Sequence, residues 1–229
     1  MSTVALIPAR GGSKRLPRKN ILAVAGIPML AHPIRTARES GLFEHIYVST
    51  EDFEIAEVAR RYDAKIIERP SEIAEDRSTV VQVCLNALEV HPDIDLMCCI
   101  YATAVLLTPE TLIASHALLD KPPEADFVMG VSNYEHPPVQ ALKEDDSGYL
   151  SYMWPEWRGV QSQFHPRLLV SNGTFYWARR RALLDETTFY GKRLRGFVVC
   201  PDQVSDIDTQ EDLTKVISRI DAQRSPADT

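Results

Sequence analysis

Residues 4–21, V-A-L-I-P-A-R-G-G-S-K-R-L-P-R-K-N-I, constrain the fold more than any other stretch of the chain. Val4, Ala5, Leu6 and Ile7 make a short apolar run, the pattern of a strand buried on both faces, as in parallel sheets covered by helices. Pro8 ends the run, and Gly11, Gly12 and Ser13 supply a tight loop with exposed backbone N–H groups. Arg10, Lys14, Arg15, Arg18 and Lys19 crowd into the same loop, and the first acidic residue of the chain is Glu39. The whole chain carries a formal net charge of −7, so this knot of cations runs against the rest. Like charges gather at low cost where a polyanion neutralises them, and a glycine loop after the first strand of an α/β sheet is a candidate triphosphate cradle. Neither the Walker spacing G-x-x-x-x-G-K-[ST] nor the dinucleotide spacing G-x-G-x-x-G occurs.

The remaining chain reads as alternating strands and helices. A helix is expected over 29–40, closed by Gly41, with Pro33 either kinking it or marking its first turn. A buried strand at 45–49 precedes an amphipathic helix at 52–62 capped by Thr50, and a short strand at 65–67 follows. Ser78 or Thr79 caps a helix over 80–90, and residues 95–102 form the most apolar strand, which belongs in the sheet centre. Thr108-Pro109-Glu110 opens a helix to about Leu119, and 125–132 is another strand. This rhythm implies parallel strands joined by right-handed crossovers. From 133 to 170 the composition turns to Pro, Trp, Tyr and Gln, with a hairpin of 139–142 and 149–152 around a turn at 145–148. Trp154 and Trp157 suit either an interface or a local cluster under a loop. Within 170–177 an Asn172-Gly173 turn followed by a strand with core aromatics is expected, and a strand at 196–200 completes the set. The tail, 222–229, is polar and expected to be flexible.

Composition narrows the function. A chain of 229 residues with 45% hydrophobic and 25% charged content suits one α/β domain, taken as 1–221. No apolar run of about 18 residues predicts a membrane span, and the first apolar run is too short for a secretory signal. Cys84, Cys98 and Cys99 lie in apolar runs and with Cys200 make no C-x-x-C pair, which predicts reduced thiols of a cytoplasmic protein. Nucleic acid wants a broad basic face, so one basic loop on an acidic chain fits a small anionic ligand.

A second feature lies far from the first. In the extended segment Asp206-Ile207-Asp208, alternation puts the two carboxylates on one face and Ile207 on the other. Adjacent carboxylates repel unless a cation sits between them, and hard oxygen ligands of this kind suit Mg²⁺ shared with waters and phosphates. The competing account is favourable negative charge at a helix N-terminus, which explains Asp208 better than Asp206. Thr209 and Asp212 form a capping-box-like start to the last helix.

Together, P-A-R-G-G-S-K-R-L-P-R-K-N and D-I-D-T-x-x-D-L resemble the signature of the CMP-sialic acid synthetase (acylneuraminate cytidylyltransferase) family, and the likeness runs from Ala5 to about Ile220. I-Y-A-T-A at 100–104 resembles the branch that activates pseudaminic acid, a nine-carbon diamino sugar. Asn172-Gly173-Thr174 instead resembles enzymes for sialic and legionaminic acids, so the two segments point to different sugars. The family implies a three-layer α/β sandwich with a Rossmann-like, mostly parallel mixed sheet, and a small β-rich extension (133–170) that dimerises and reaches the neighbour's site. It implies activation of a free nine-carbon acidic sugar with CTP, giving a CMP-sugar and pyrophosphate. By resemblance, Ala9, Arg10, Gly11, Gly12, Ser13, Lys14, Arg15, Lys19 and Asn20 hold CTP, with Arg69 and Ser78 at base or ribose. Ser78 is equally explained as a helix cap. Tyr101, Thr103, Gln140, Lys143, Gln161, Asn172, Phe175 and Tyr176 are the implied sugar contacts. Arg10, Lys14, Lys19, Asp206 and Asp208 are the implied catalytic set, with Mg²⁺ on the two aspartates. Three other readings compete. A glycosyltransferase carries its D-x-D near mid-chain; a non-catalytic nucleotide-binding protein would not need both motifs. A 3-deoxy-manno-octulosonate cytidylyltransferase has a different loop.

Overall fold

The opening apolar run forms β1 (Ser2–Pro8). The computed structural model describes residues 2–224. After β1 come a two-residue ribbon, β2 (Ala23–Val24) with β3 (Ile27–Pro28), then α1 (Ala31–Glu39), β4 (His45–Thr50), α2 (Phe53–Arg61) and β5 (Lys65–Glu68). α3 (Val80–Val90), β6 (Ile94–Ile100), α4 (Pro109–His116) and β7 (Phe127–Asn133) follow. The hairpin β8 (Leu142–Glu144) and β9 (Leu150–Tyr152) leads to β10 (Leu169–Arg179), α5 (Arg180–Glu186), β11 (Leu194–Val198) and α6 (Gln210–Arg224). The main sheet has seven strands in the order β11-β7-β10-β6-β1-β4-β5. β10 runs antiparallel to both its neighbours, and the other pairings are parallel.

Strand alternation makes three layers. Ala5 and Ile7 of β1 pack with Leu30, Ile34, Ile55, Val58 and Leu112, which places α1, α2 and α4 on one face. Val4 and Leu6 pack with Cys84, Leu88, Ala182 and Leu183, which places α3 and α5 on the other. A third cluster joins Leu16, Met29 and Val105 to Ile207, Leu213 and Val216, fastening α6 over the basic loop. β6 is the central strand, as its apolar run predicts, and Cys84, Cys98 and Cys99 are buried free thiols. No helix among the described residues is long and apolar enough to cross a membrane.

Several local expectations change. The cap of α2 is Asp52, whose carboxylate accepts the N–H of Ile55 at 3.0 Å. Thr50 cannot serve because it is still paired in the sheet, opposite Glu68. Pro33 lies in the first turn of α1, where its missing N–H has no helical partner to lose. α4 stops at His116, short of Leu119. Asn172-Gly173 is a bulge inside the 11-residue β10 and not a turn before it. The register with β7 slips between Ser171 and Tyr176, Gly173 takes φ +65°, and the Asn172 side chain accepts the N–H of Thr174 at 3.2 Å. Val139 and Gln140 sit in a single 3₁₀ turn after two prolines, so the hairpin is shorter than its apolar pattern suggests. Its turn holds through Asp145, whose Oδ1 accepts from Ser147 and Tyr149. α5 matches no sequence expectation: Arg179 precedes it and makes no side-chain cap. α6 continues through Arg224, so the expected tail begins later than 222, and its remainder, 225–229, lies outside the described residues.

Candidate functional site

Because β1, β4, β5 and β6 are parallel, their carboxyl ends share one edge, and the strand order reverses at β1. Open α/β sheets bind ligands in the crevice outside such a point. A cleft of about 300 Å³ lies there. It is lined by Arg10, Lys19 and Asn20 after β1, Arg69 after β5, Tyr101 and Thr103 after β6, and Asp206 and Asp208 before α6. A strap, residues 70–79, adds Ile73, Glu75, Asp76 and Ser78. A second depression of about 370 Å³ adjoins it and brings in Ser13, Lys14 and Arg15.

The loop is pinned from inside. Buried Asn20 donates to the Arg10 carbonyl at 2.8 Å, and the Gly11 N–H donates to Glu51 at 2.7 Å. Ala9 is fully buried and donates to the Ser49 carbonyl at 3.0 Å. Gly12 has open space around it. The loop's cations are all paired. Arg10 contacts Asp76 at 2.7 Å and Lys14 contacts the same carboxylate. Arg15 and Lys19 meet Asp208 at 2.7 and 3.0 Å, and Lys19 also donates to the Ile207 carbonyl at 2.8 Å. Arg18 leaves the group: with φ +58° it turns to Asp52 and Glu54 at the start of α2. The hydrogen bond to Asp52 raises the Arg18 pKa and lowers that of Asp52.

Arg69 is buried against β4, donating to the Ser49 hydroxyl at 3.2 Å and carbonyl at 2.7 Å. Burial lowers its pKa, yet a guanidinium stays charged. Ser78 lines the cleft, and the cap of α3 is Thr79, in a full capping box with Gln82. Tyr101 lies against Tyr176 with ring centroids 5.8 Å apart, and burial raises both phenols. Thr103 accepts from Ser205 through its carbonyl, which ties the end of β6 to the segment carrying the aspartates. Ile207 is fully buried, while Asp206 and Asp208 both face the cleft, as the alternation predicts.

Not every expected residue arrives here. Phe175 is fully buried in the sheet core, paired with Ile100, so it has no surface to offer a sugar. Tyr176 is buried, stacked on Phe189 and bonded to Ser171 at 2.7 Å. Asn172 spends its amide on Ser132 and Thr174 inside the bulge. Gln140, Lys143 and Gln161 are exposed on the extension and do not line the cleft; Lys143 borders a separate hollow with Tyr152 and Arg158. Sequence reasoning missed Glu51, Asp76 and Ser49. Glu51 and Ser49 sit at the end of a strand, which is a usable signal. Asp76 is one acid among several in a strap, and only its contacts single it out.

Among the described residues no three His, Cys, Asp or Glu converge as a metal cluster. A family profile described as cytidylyltransferase matches residues 4–152. A pseudaminic acid cytidylyltransferase of Campylobacter jejuni is 33% identical over 219 residues, covering 93% of this chain and 94% of that protein. An N-acylneuraminate cytidylyltransferase of Danio rerio is 31% identical, covering 91% of this chain and 48% of that one. The solved structure of a CMP:2-keto-3-deoxy-manno-octonic acid synthetase with CTP superposes with a TM-score of 0.73 at 18% identity, over 98% of this chain and all of that one. That likeness carries the fold, a three-layer α/β sandwich with a mostly parallel mixed sheet. The basic loop, the cleft at the strand ends and these relatives lead to one conclusion: the chain belongs to the cytidylyltransferase family and is a CTP-dependent nucleotidyltransferase acting on a sugar acid.

Proposed function

We propose that the chain joins the cytidylyl group of CTP to a free nine-carbon nonulosonic acid, pseudaminic acid first among them, and releases pyrophosphate. The observation that carries this reading is the meeting of Lys19 with Asp208, 189 positions apart, in one cleft. A loop of cations beside a pair of carboxylates in one cleft suits phosphoryl chemistry, in which positioning and charge neutralisation do most of the work. The anomeric hydroxyl oxygen of the sugar attacks the α-phosphorus in line. The new P–O bond forms as the bond to the bridging oxygen breaks, the hydroxyl proton passes to solvent, and pyrophosphate departs. Arg10, Lys14, Arg15 and Lys19 hold the triphosphate and stabilise the charge gathering on the leaving group. Arg69 and Ser78 face the base and ribose; Tyr101 and Thr103 face the sugar.

Asp206 and Asp208 fit Mg²⁺, since both are hard donors facing the cleft beside the phosphate-binding cations. Bound there, the ion would neutralise phosphate charge and acidify the attacking hydroxyl. The extension is read as the dimer contact. Tyr149, Leu150 and Phe164 are 62–74% exposed there, apolar surface that a second copy would cover.

Pyrophosphate release from CTP and Mg²⁺, with pseudaminic, legionaminic and N-acetylneuraminic acids in parallel, tests the reading. Release with pseudaminic acid alone supports it. Release with another acid reassigns the sugar and agrees with Asn172-Gly173. No release while CTP binds sinks it. Asp206→Ala should cut turnover at least about a hundredfold. Near-normal turnover that still requires Mg²⁺ would remove the metal assignment.

A further inference from the structure

Asp76 holds two of the four loop cations that face the clefts: Arg10 at 2.7 Å, and Lys14. Asp208 holds the other two. The two carboxylates differ in how they are fixed. Asp208 follows fully buried Ile207, and its N–H is tied to Asp212 at the start of α6 at 3.1 Å. Asp76 stands in the strap between β5 and α3, outside any helix or strand, with its side chain 44% exposed. Its neighbours bond only locally, Ala74 to Ser71 and Ser78 to Glu75. Asp76 can therefore move away from its partners at little cost to the fold, whereas the backbone of Asp208 is held in place.

We propose that Asp76 is a displaceable counter-anion that makes entry to the Arg10–Lys14 seat conditional on a polyphosphate. The proposal rests on the nucleotide reading above. A ligand must supply enough negative charge at this seat to replace the carboxylate on both cations. A diphosphate or triphosphate chain does so. A monophosphate gains too little there and leaves Asp76 in place. The same carboxylate, returning to Arg10 and Lys14, helps expel pyrophosphate after the transfer. The pair also ties the strap to the basic loop, so polyphosphate entry frees Ser78 to adjust around the rest of the nucleotide.

The test is calorimetric binding of CTP, inorganic pyrophosphate and CMP to the unaltered chain, Asp76→Asn and Glu75→Gln. Glu75 lines the same cleft and its replacement removes the same charge, so it controls for the general field. Asp76→Asn should bind CTP and pyrophosphate about three- to tenfold tighter, the range expected for freeing two partly exposed ion pairs. CMP affinity should stay within about twofold. The gain should shrink near 1 M salt, where the Debye length is about 3 Å. Unchanged or weaker pyrophosphate binding in Asp76→Asn overturns the proposal. So does an equal gain in Glu75→Gln, an equal gain for CMP, or no pyrophosphate binding by the unaltered chain and by Asp76→Asn. If pyrophosphate behaves as expected while CTP binds no better than other nucleoside triphosphates, Asp76 keeps its role and the cytidine reading fails.

Discussion

A methyl group on Gly11 would stand 2.5 Å from Oδ2 of Asp52. Asp52 has no freedom to move aside, because it caps α2 through Ile55 and is held by Arg18. The first glycine of the pair thus serves close approach between the loop and α2, while Gly12 meets open space. Gly11→Ala should destabilise the protein by about 1–3 kcal/mol, the usual cost of overpacking, and weaken triphosphate binding. Gly12→Ala should do much less to stability. Chemical unfolding of the two variants side by side checks this, and equal losses would refute the packing argument. The Gly-Gly pair is legible in the sequence as a loop, but the inequality of its members is not, since the colliding atom belongs to Asp52, far along the chain. Arg18 shows the same limit. Its charge is plain in the sequence, and its departure from the cleft follows from Asp52 and Glu54.

At the scale of elements, buried strands and well-capped helices are legible, because alternation, apolar runs and caps agree with one another. β1, β6, α2, α3 and α4 all follow from such patterns. The bulge of β10 and the helix α5 escape because their local signals mislead. Asn-Gly suggests a turn where tertiary pairing with β6 and β7 makes a bulge, and α5 begins without a capping side chain. α3 offers a direct check on cap assignment. Thr79 accepts the Gln82 N–H, and the Gln82 side chain returns to the Thr79 N–H at 2.7 Å. Thr79→Ala should cost about 1 kcal/mol, a fall in Tm of roughly 2–4 °C for a chain of this size. Ser78→Ala should leave Tm nearly unchanged and alter nucleotide binding instead. The reverse pattern would make Ser78 the cap and remove it from the cleft's working surface.

Across the whole molecule, the two motifs are legible one by one, and their convergence is not. Lys19 and Asp208 meet because Ile207 and α6 pack on Leu16, Met29 and Val105, a contact that no spacing rule predicts. The extension is legible as a change of composition, while the exposure of its apolar surface at Tyr149, Leu150, Met153 and Phe164 is seen only in three dimensions. If that surface pairs two copies, light scattering should give twice the 25.8 kDa chain mass, and Leu150→Arg should return the single mass with the fold retained. A single mass for the unaltered chain would end the dimer reading. The contact between loop and last helix has a further consequence during synthesis. Asp52, Glu54 and Asp76 are translated long before Asp208, so a nascent chain can pair Arg18, Arg10 and Lys14 early, while Arg15 and Lys19 wait for Asp208. Polyanions in the cell can reach those two cations in the interval. The Arg15–Lys19 half of the site is complete only when translation has passed residue 208.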